Sequence, residues 1–275
     1  MQYTLYRIAK TLSLVLLCSI GLIACNGDQD TKRLQITGSS TIAPLLLELA
    51  QQYETNHPDV RIDVQTGGSA RGIADSRQGL ADIGMVSRAL KPSESDLTPH
   101  PIARDGIAII LHKDNSLSEL SRQQIIDIYT GKIKNWRQLS GKDETIAVVS
   151  KADGRSTLEL FLSYFNLNSS DIQAHAIIGD NEHAIKTVLA NKAAIAYVSI
   201  GTAEYNASTG VAIKLLANDG IVASTENVAN GSFPLARSLN LVTRGEPSTL
   251  AQSFIDFSQS PQAHSAIKRQ YFVPL

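Results

Sequence analysis

Strand-like and helix-like segments alternate along most of this chain, and this alternation constrains its fold most strongly. The first three strands are predicted at 33–37, 60–65 and 83–86, with helices at 41–53 and 70–78 between them. Helical crossovers are the usual connection between parallel strands, so the pattern predicts an α/β fold with largely parallel sheets. About 240 structured residues are close to the upper limit for a single core, which favours two α/β lobes.

The same alternation continues to the C-terminus. A Ser-x-x-Gln capping box at Ser121 predicts the start of a helix that ends at Gly131. Further strands are predicted at 106–111, 146–149, 194–198, 211–216 and 239–242, and further helices at 157–165, 181–190, 248–257 and 262–271.

Composition excludes several classes of protein. The chain has 275 residues, of which 43% are hydrophobic, so it has enough apolar side chains for a core and is not a disordered protein. Its net charge is -1 at pH 7, and its basic residues form no stripe or tail, so no nucleic-acid partner is expected. The single long apolar run lies at the N-terminus, which excludes a polytopic membrane protein.

The N-terminal segment 1–24 has the pattern of a secretory signal, with basic residues before an apolar stretch at 11–24. That stretch is shorter than the ~20 residues that cross a bilayer comfortably. The sequence Leu22-Ile23-Ala24-Cys25 resembles a bacterial lipobox, in which the cysteine is lipidated and becomes the first mature residue. We therefore predict a lipoprotein signal peptide at 1–24, and a lipidated Cys25 with a polar tether at 25–32. The alternative is that Cys25 is an ordinary apolar residue at the end of an anchor helix.

Motifs for metal, nucleotide and covalent chemistry are missing from the sequence. The chain has two cysteines. Cys18 would be lost with the signal and Cys25 would be blocked by lipid, so no disulfide is expected. The histidines form no H-E-x-x-H motif, and there is no Walker A, G-x-G-x-x-G or G-x-S-x-G sequence. We therefore predict a protein without a metal, without a cofactor and without enzymatic activity.

Three small, hydroxyl-rich turns carry the strongest functional signal. The turns are 37–41, 66–72 and 150–157, and each follows a predicted strand and begins a predicted helix. The first turn of a helix has free backbone N–H groups and the positive end of the helix dipole, and Ser or Thr adds a hydroxyl donor. Three such ends could together bind an oxyanion. Ordinary N-capping by Ser and Thr explains each turn equally well, so both interpretations remain open at this point.

The segments that contain these turns resemble the periplasmic phosphate-binding proteins of ABC importers. The first two are Gly38-Ser39-Ser40-Thr41-Ile42-Ala43-Pro44-Leu45 and Gly68-Ser69-Ala70-Arg71-Gly72-Ile73. The others are 81–88, 128–136, 193–198, 233–239 and the stretch from 254–257 to 273–275. These matches run in order along nearly the whole mature chain, which makes them specific as a set.

The resemblance implies a type II periplasmic-binding-protein fold, with two α/β lobes joined by crossing segments and a ligand cleft between them. Lobe 1 would comprise 33–109 and 233–275, and lobe 2 would comprise 110–232. It also implies a monomer, tethered to the membrane by its lipid in the periplasm, that captures inorganic phosphate and delivers it to an ABC permease in the inner membrane.

The resemblance also assigns ligand contacts by position. Thr41 and the Ile42 N–H would bind the anion from the first loop, Ser69 from the second and Thr157 from the third. The complete set of expected phosphate-binding residues is Ser40, Thr41, Ile42, Ser69, Ser87, Arg88, Lys151, Arg155, Ser156 and Thr157.

The third loop departs from the family pattern, which often reads Arg-x-x-Gly-Ser-Gly-Thr. Lys151 stands at the position of the family arginine. Its ammonium is a compact charge, so it cannot bind the anion in the bidentate way that a guanidinium can. Arg155 would supply the guanidinium from a new position. The alternative is that Arg155 points to solvent or pairs with Asp153.

A second departure concerns anion selectivity. Some relatives carry an aspartate where this chain has Arg88, and that carboxylate accepts the proton of hydrogen phosphate and repels sulfate. The Arg88 side chain has hydrogen-bond donors only, so it cannot accept that proton. Asp153 could serve as the acceptor in its place. Binding of another oxyanion therefore stays an alternative, as does a phosphate-sensing or adhesion lipoprotein that uses the same scaffold without transport.

Overall fold

The structure is a computed structural model and describes residues 31–275. The predicted signal peptide, Cys25 and most of the predicted tether lie outside the described residues. The strands are β1 (Lys32–Gly38), β2 (Val60–Thr66), β3 (Ile83–Val86), β4 (Leu97–His112), β5 (Glu119–Leu120), β6 (Ala147–Lys151), β7 (Ala176–Ile178), β8 (Ala194–Ser199), β9 (Ile213–Leu215), β10 (Ala217–Asn218), β11 (Ile221–Val222), β12 (Ala236–Arg244) and β13 (Val273–Pro274). The α-helices are α1 (Ala43–Asn56), α2 (Ser69–Gln78), α3 (Arg122–Tyr129), α4 (Ser156–Phe165), α5 (Asn181–Ala190), α6 (Ile200–Ser208), α7 (Thr225–Ala229), α8 (Thr249–Gln259) and α9 (His264–Arg269).

Local signals explain where several elements begin. At the start of α3, the Gln124 N–H donates to Ser121 Oγ at 3.2 Å, and Gln124 Oε1 accepts from the Ser121 N–H at 2.8 Å. The predicted capping box is therefore confirmed. Several elements were not predicted, and two of them are informative. Helix α6 follows β8 without a Gly or Pro between them, and the first half of β4 contains Pro99 and Pro101, which normally interrupt a strand.

The central sheet is mixed, which corrects the expectation of largely parallel sheets. Its strand order is β2-β1-β3-β12-β4-β8-β6-β7. The outer groups, β2-β1-β3 and β8-β6-β7, are parallel as predicted. At the centre, β12 runs antiparallel to β3 and β4, and β4 runs antiparallel to β8. These two long strands pass between the halves of the molecule in opposite directions, so their pairing is antiparallel.

The curled sheet supports two large hydrophobic cores and a small cluster of Ile73, Val86, Leu97 and Val242, and the predicted two-lobed α/β architecture is confirmed. In the first lobe, β1 and β3 pack against α1, α8 and α9, and in the second, β6 and β8 pack against α3, α4 and α5. Strand β4 contributes Ala103 to the first core and Ile107 to the second. Strand β12 contributes Leu239 to the first core, and Leu235, just before this strand, packs in the second. The numbered lobe boundaries given above stay a prediction. Within the described residues, none of the helices combines the length and the apolar character needed to span a bilayer.

Candidate anion-binding site between the lobes

The three hydroxyl-rich turns meet around one small pocket between the two cores. Its lining consists of Ser39, Ser40, Thr41, Gly68, Ser69, Ser87, Lys151, Arg155, Ser156, Thr157, Gly179 and Asn181. Eight of the ten predicted ligand residues lie in this lining, and Ile42 and Arg88 do not. Residues that the sequence places more than a hundred positions apart are thus brought together by the fold.

Backbone hydrogen bonds tie the turns to one another. The Gly67 and Gly68 N–H groups both donate to the Gly38 carbonyl at 2.9 Å, which joins the first turn to the second. The Ala70 N–H donates to the Gly154 carbonyl at 3.2 Å, which joins the second turn to the third and the first lobe to the second. The structure therefore represents a form in which the lobes touch at the pocket.

Gly68 is needed for this close approach. Its φ is +94°, a conformation that favours glycine, and a Cβ at this position would lie 2.9 Å from the Gly154 carbonyl oxygen. A side chain here would strain the backbone and push the third turn away.

The residues at the N-cap positions of the three turns do not cap their helices, although Ser39 Oγ accepts from the Thr41 N–H at 3.2 Å just before α1. Helices α1, α2 and α4 have Ile42, Gly68 and Arg155 at their N-cap positions, and none of these side chains makes a capping hydrogen bond. By contrast, helices α3, α5, α6, α7 and α8 are each capped by a Ser or Asp side chain. Because the first N–H groups of a helix have no partner within it, the ends of α2 and α4 keep donors for a ligand. The Ser156 hydroxyl is buried and has no hydrogen-bond partner in the described part of the chain.

Two basic side chains line the pocket from the third turn. Lys151 is only 4% exposed, and its ammonium donates to the Asp180 carbonyl at 2.6 Å and to Asn181 Oδ1 at 3.4 Å. Burial lowers the pKa of Lys151 to about 7, with the nearby Asp180 carboxylate acting in the opposite direction. The Arg155 guanidinium lies against Gly179 and its side chain against Gly68. Asp153 is exposed and does not belong to the lining, so it supplies no acceptor to the pocket.

Arg88 and Ile42 are placed differently from the expectation. The Arg88 guanidinium donates to both oxygens of Glu94, at 2.7 and 2.8 Å, and forms an ion pair with Glu159. Its charge is therefore matched by two carboxylates instead of facing the pocket. The Ile42 N–H donates to the Ser39 carbonyl at 3.2 Å, and the Ile42 side chain is fully buried.

The structure adds residues that the sequence did not indicate. Asn181, at the start of α5, donates to Thr41 Oγ1 at 3.2 Å across the lobes. Behind the pocket, Arg237 forms a buried ion pair with Asp105 at 2.8 Å and donates to three hydroxyl groups. Arg237 lies in the matched segment 233–239, but nothing in the sequence shows that β12 brings it under the three turns.

No carboxylate lines this pocket, and the described residues contain no cluster of His, Cys, Asp and Glu that could hold a metal ion. The arrangement offers backbone N–H groups, hydroxyls, an ammonium and a guanidinium. Chemically, it can surround a small oxyanion with hydrogen-bond donors.

Comparisons with known proteins show which family the chain belongs to. Residues 26–262 match the family described as the PBP superfamily domain. The phosphate-binding protein PstS of Bacillus subtilis (strain 168) is 30% identical over 247 residues, covering 88% of this chain and 80% of the relative.

Solved structures lead to the same family. A phosphate ABC transporter substrate-binding protein with bound phosphate from Clostridium perfringens is 34% identical, with a TM-score of 0.81 over 89% of this chain and 100% of that chain. An ABC-type phosphate transport receptor from Vibrio cholerae is 29% identical, with a TM-score of 0.72 over 89% of this chain and 100% of that chain. The chain therefore belongs to the PBP superfamily, and within it to the family of the PstS phosphate-binding proteins.

Proposed function

We propose that this protein is an extracytoplasmic solute-binding protein that captures inorganic phosphate between its lobes and delivers it to an ABC importer. The observation that carries the proposal is the meeting of three helix-initiating turns, whose N-cap residues make no capping hydrogen bond, around one pocket that also holds Lys151 and Arg155. The relatives reported above are named as phosphate-binding and phosphate-transport proteins, not as enzymes.

The physical argument rests on the cost of removing water from a phosphate ion. A desolvated anion must recover its lost hydrogen bonds from the protein, so the site must present many donors at once. The N-termini of α2 and α4 contribute N–H groups and dipole, the hydroxyls contribute O–H groups, and Arg155 contributes charge-assisted hydrogen bonds. No bond of the ligand needs to be made or broken.

Capture would occur by lobe closure. An anion that bonds both lobes stabilises the form in which they touch, and so shifts the equilibrium toward it. The closed shape would then be recognised by the permease in the inner membrane. We propose that the protein acts as a monomer, with lobe 1 at 33–109 and 233–275 and lobe 2 at 110–232.

The membrane anchor forms a separate part of the proposal. We propose that residues 1–24 are removed and that Cys25 is lipidated, with residues 25–32 as the tether. Supporting this is the order of basic residues, apolar stretch, small residue and cysteine in the sequence. A Cys25→Ser variant should no longer incorporate a labelled fatty acid in cells, whereas unchanged labelling would exclude lipidation at this residue.

A second candidate ligand is sulfate or another tetrahedral oxyanion. The observation that favours it is the lack of any carboxylate in the pocket lining, so no side chain there repels a fully ionised anion.

Isothermal titration of the protein with phosphate, sulfate and arsenate tests the proposal. We expect phosphate to bind with one site per chain. Absence of phosphate binding would exclude the proposed function, and sulfate binding alone would favour the second candidate.

A further inference from the structure

The Lys151 side chain lines the pocket, and the two hydrogen-bond acceptors at its end are both uncharged. Its Nζ donates to the Asp180 carbonyl oxygen at 2.6 Å and to the Asn181 amide oxygen at 3.4 Å. Among residues 31–275, this nitrogen has no third acceptor. A neutral amine has two N–H groups, so these two oxygens satisfy it, whereas the third N–H of an ammonium needs a further partner. The protein by itself therefore suits the neutral amine at this position.

Burial and two neighbouring guanidinium groups oppose a positive charge on Lys151. The residue is only 4% exposed, so an ammonium there has lost nearly all of its hydration. Arg155 on the same turn and Arg237 on β12 add positive charge nearby, although Arg237 is paired with Asp105. Burial is the largest of these effects, and the pKa of Lys151 is lowered to about 7.

Two carboxylates at the start of α5 favour the charged form, but neither accepts a hydrogen bond from Nζ. Asp180 Oδ1 accepts from the His183 N–H at 2.7 Å as the cap of this helix, and Glu182 is exposed. From β8, the Tyr197 hydroxyl accepts from the Lys151 N–H at 3.1 Å, and burial raises the pKa of Tyr197 to about 12, so this group stays neutral. A bound anion would therefore give Nζ a negatively charged acceptor, which it lacks among the described residues.

We propose that Lys151 takes up a proton from the solvent when phosphate enters the pocket, so that binding of the anion is coupled to protonation of Nζ. The proton adds to the lone pair of the amine, and the new N–H group donates to a phosphate oxygen. Water or buffer supplies the proton, and no bond of the phosphate is made or broken. This inference rests on the proposed function and deepens it by adding a regulation of the same site by pH.

The coupling is specific to a lysine at this position. An arginine, which the family often carries here, stays charged at any pH that proteins tolerate, so it has no proton to gain. The amine of Lys151 gains one, because burial disfavours its charge until an anion compensates it.

Proton uptake makes the affinity fall as the pH rises, since binding and protonation assist each other. Above a pH of about 7, Lys151 of the ligand-free protein is mostly neutral, and each further pH unit makes the required proton ten times scarcer. We expect the phosphate affinity of the wild-type protein to fall about tenfold between about pH 8 and pH 9. Phosphate is almost entirely the dianion throughout this interval, so its own ionisation contributes little.

Isothermal titration in two buffers with different heats of ionisation counts the protons directly. At about pH 8.5, the wild-type protein should take up about one proton for each phosphate bound, and Lys151→Arg should take up almost none. The affinity of Lys151→Arg should also stay nearly constant between about pH 8 and pH 9. Wild-type binding without proton uptake would overturn the inference and leave the proposed function intact.

The comparison of the two proteins separates proton uptake from a structural role. A merely structural role of Lys151 would weaken Lys151→Arg equally at every pH, and proton uptake that persists in this variant would belong to another group. Either result would overturn the inference. If Lys151→Arg does not fold or bind, the same measurement is made with Lys151→Met, which also has no amine to protonate and should also show almost no uptake.

Lys214→Arg is the matched control. Lys214 is another partly buried lysine whose Nζ donates to a backbone carbonyl, that of Asn115, and burial lowers its pKa as well. It does not line the pocket, so this variant should keep the wild-type proton uptake. Loss of uptake in Lys214→Arg would overturn the assignment to Lys151. Wild-type protein that binds no phosphate at any pH would instead exclude the proposed function, and this inference with it.

Discussion

Arg88 of the first lobe and Glu159 of the second lobe form an ion pair that joins the two lobes. Arg88 follows β3, and Glu159 lies in the first turn of α4. Glu159 also contacts the Lys91 ammonium at 3.2 Å, while Glu94 occupies the other side of the Arg88 guanidinium. An arginine predicted to bind the ligand thus forms part of a charged contact between the lobes.

Replacement of Glu159 by Gln should loosen the closed form. The amide cannot neutralise Arg88 and Lys91, so we expect phosphate affinity to fall about threefold to tenfold, as for a partly exposed charge pair. Affinity should also become less sensitive to added salt, because salt screens the pair in the wild-type protein. Titration calorimetry at low and high salt measures both effects. Glu119→Gln is the control, because Glu119 is an exposed carboxylate on β5. If Glu159→Gln keeps both the wild-type affinity and the wild-type salt dependence, Glu159 does not stabilise the closed form.

Removing two hydroxyls from opposite lobes should damage the site directly. Ser69→Ala combined with Thr157→Ala deletes one donor from the second turn and one from the third, and we expect phosphate affinity to fall about tenfold or more. The control is the double variant Ser208→Ala and Thr209→Ala, whose hydroxyls bond the Tyr205 carbonyl at the end of α6. Calorimetric titration that shows equal affinity for both double variants would remove the three turns from consideration as the binding site.

A methyl group at position 68 should keep the lobes apart. In Gly68→Ala, the new Cβ would lie 2.9 Å from the Gly154 carbonyl oxygen, so closure would be hindered and phosphate affinity should fall more than about tenfold. Gly79→Ala is the control for a positive φ, since Gly79 has φ +70° and ψ 20° and its Cβ would meet nothing within 4 Å. Gly79→Ala should lose about 1 kcal/mol of unfolding free energy from the left-handed conformation, and Gly68→Ala should lose more, because φ +94° with ψ 161° is open essentially only to glycine. Only the first should lose affinity, and equal losses in both would contradict a specific role of the contact.

The buried Lys151 should make stability depend on pH. Burial lowers the pKa of Lys151 from 10.5 to about 7 in the folded protein, so between these values the unfolded chain binds more protons than the folded one. The free energy of unfolding should therefore rise as the pH rises from about 7 toward 10.5. Denaturant titrations without any bound anion measure this slope.

In Lys151→Met, the free energy of unfolding should rise less with pH, because the contribution of the Lys151 ammonium is removed. Lys192→Met removes an exposed ammonium that pairs with Asp114 at 2.6 Å, and it serves as the charge-matched control. A Lys151→Met protein with the wild-type slope would show that Lys151 does not titrate in this range.

The local parts of the fold could be read from the sequence, because they depend on neighbours within a few residues. The capping box at Ser121 and the bounds of β3 and α5 follow from such short-range patterns. The three turns were also recognisable, since glycine and hydroxyl residues mark them. Their interpretation as ligand donors or as caps could not be settled, because that depends on which hydroxyls are used elsewhere.

The central part of the site could not be predicted because it depends on strand register. Arg237 and Asp105 lie directly opposite each other in the antiparallel pairing of β12 with β4, although 132 residues separate them in the chain. A shift of one residue would turn Arg237 to the other face of the sheet. The role of Arg88 was missed for a related reason, since nothing in the sequence shows that α4 brings Glu159 beside it.

The pairing of Asp105 with Arg237 bears on the lobe closure proposed above. Both residues stand where β4 and β12 pass from one core to the other, so a rotation of the lobes would pivot near them and would move the tips of the turns farthest. In that motion the guanidinium would keep its carboxylate partner. Opening and reclosing would then break and remake only the outer contacts of the site.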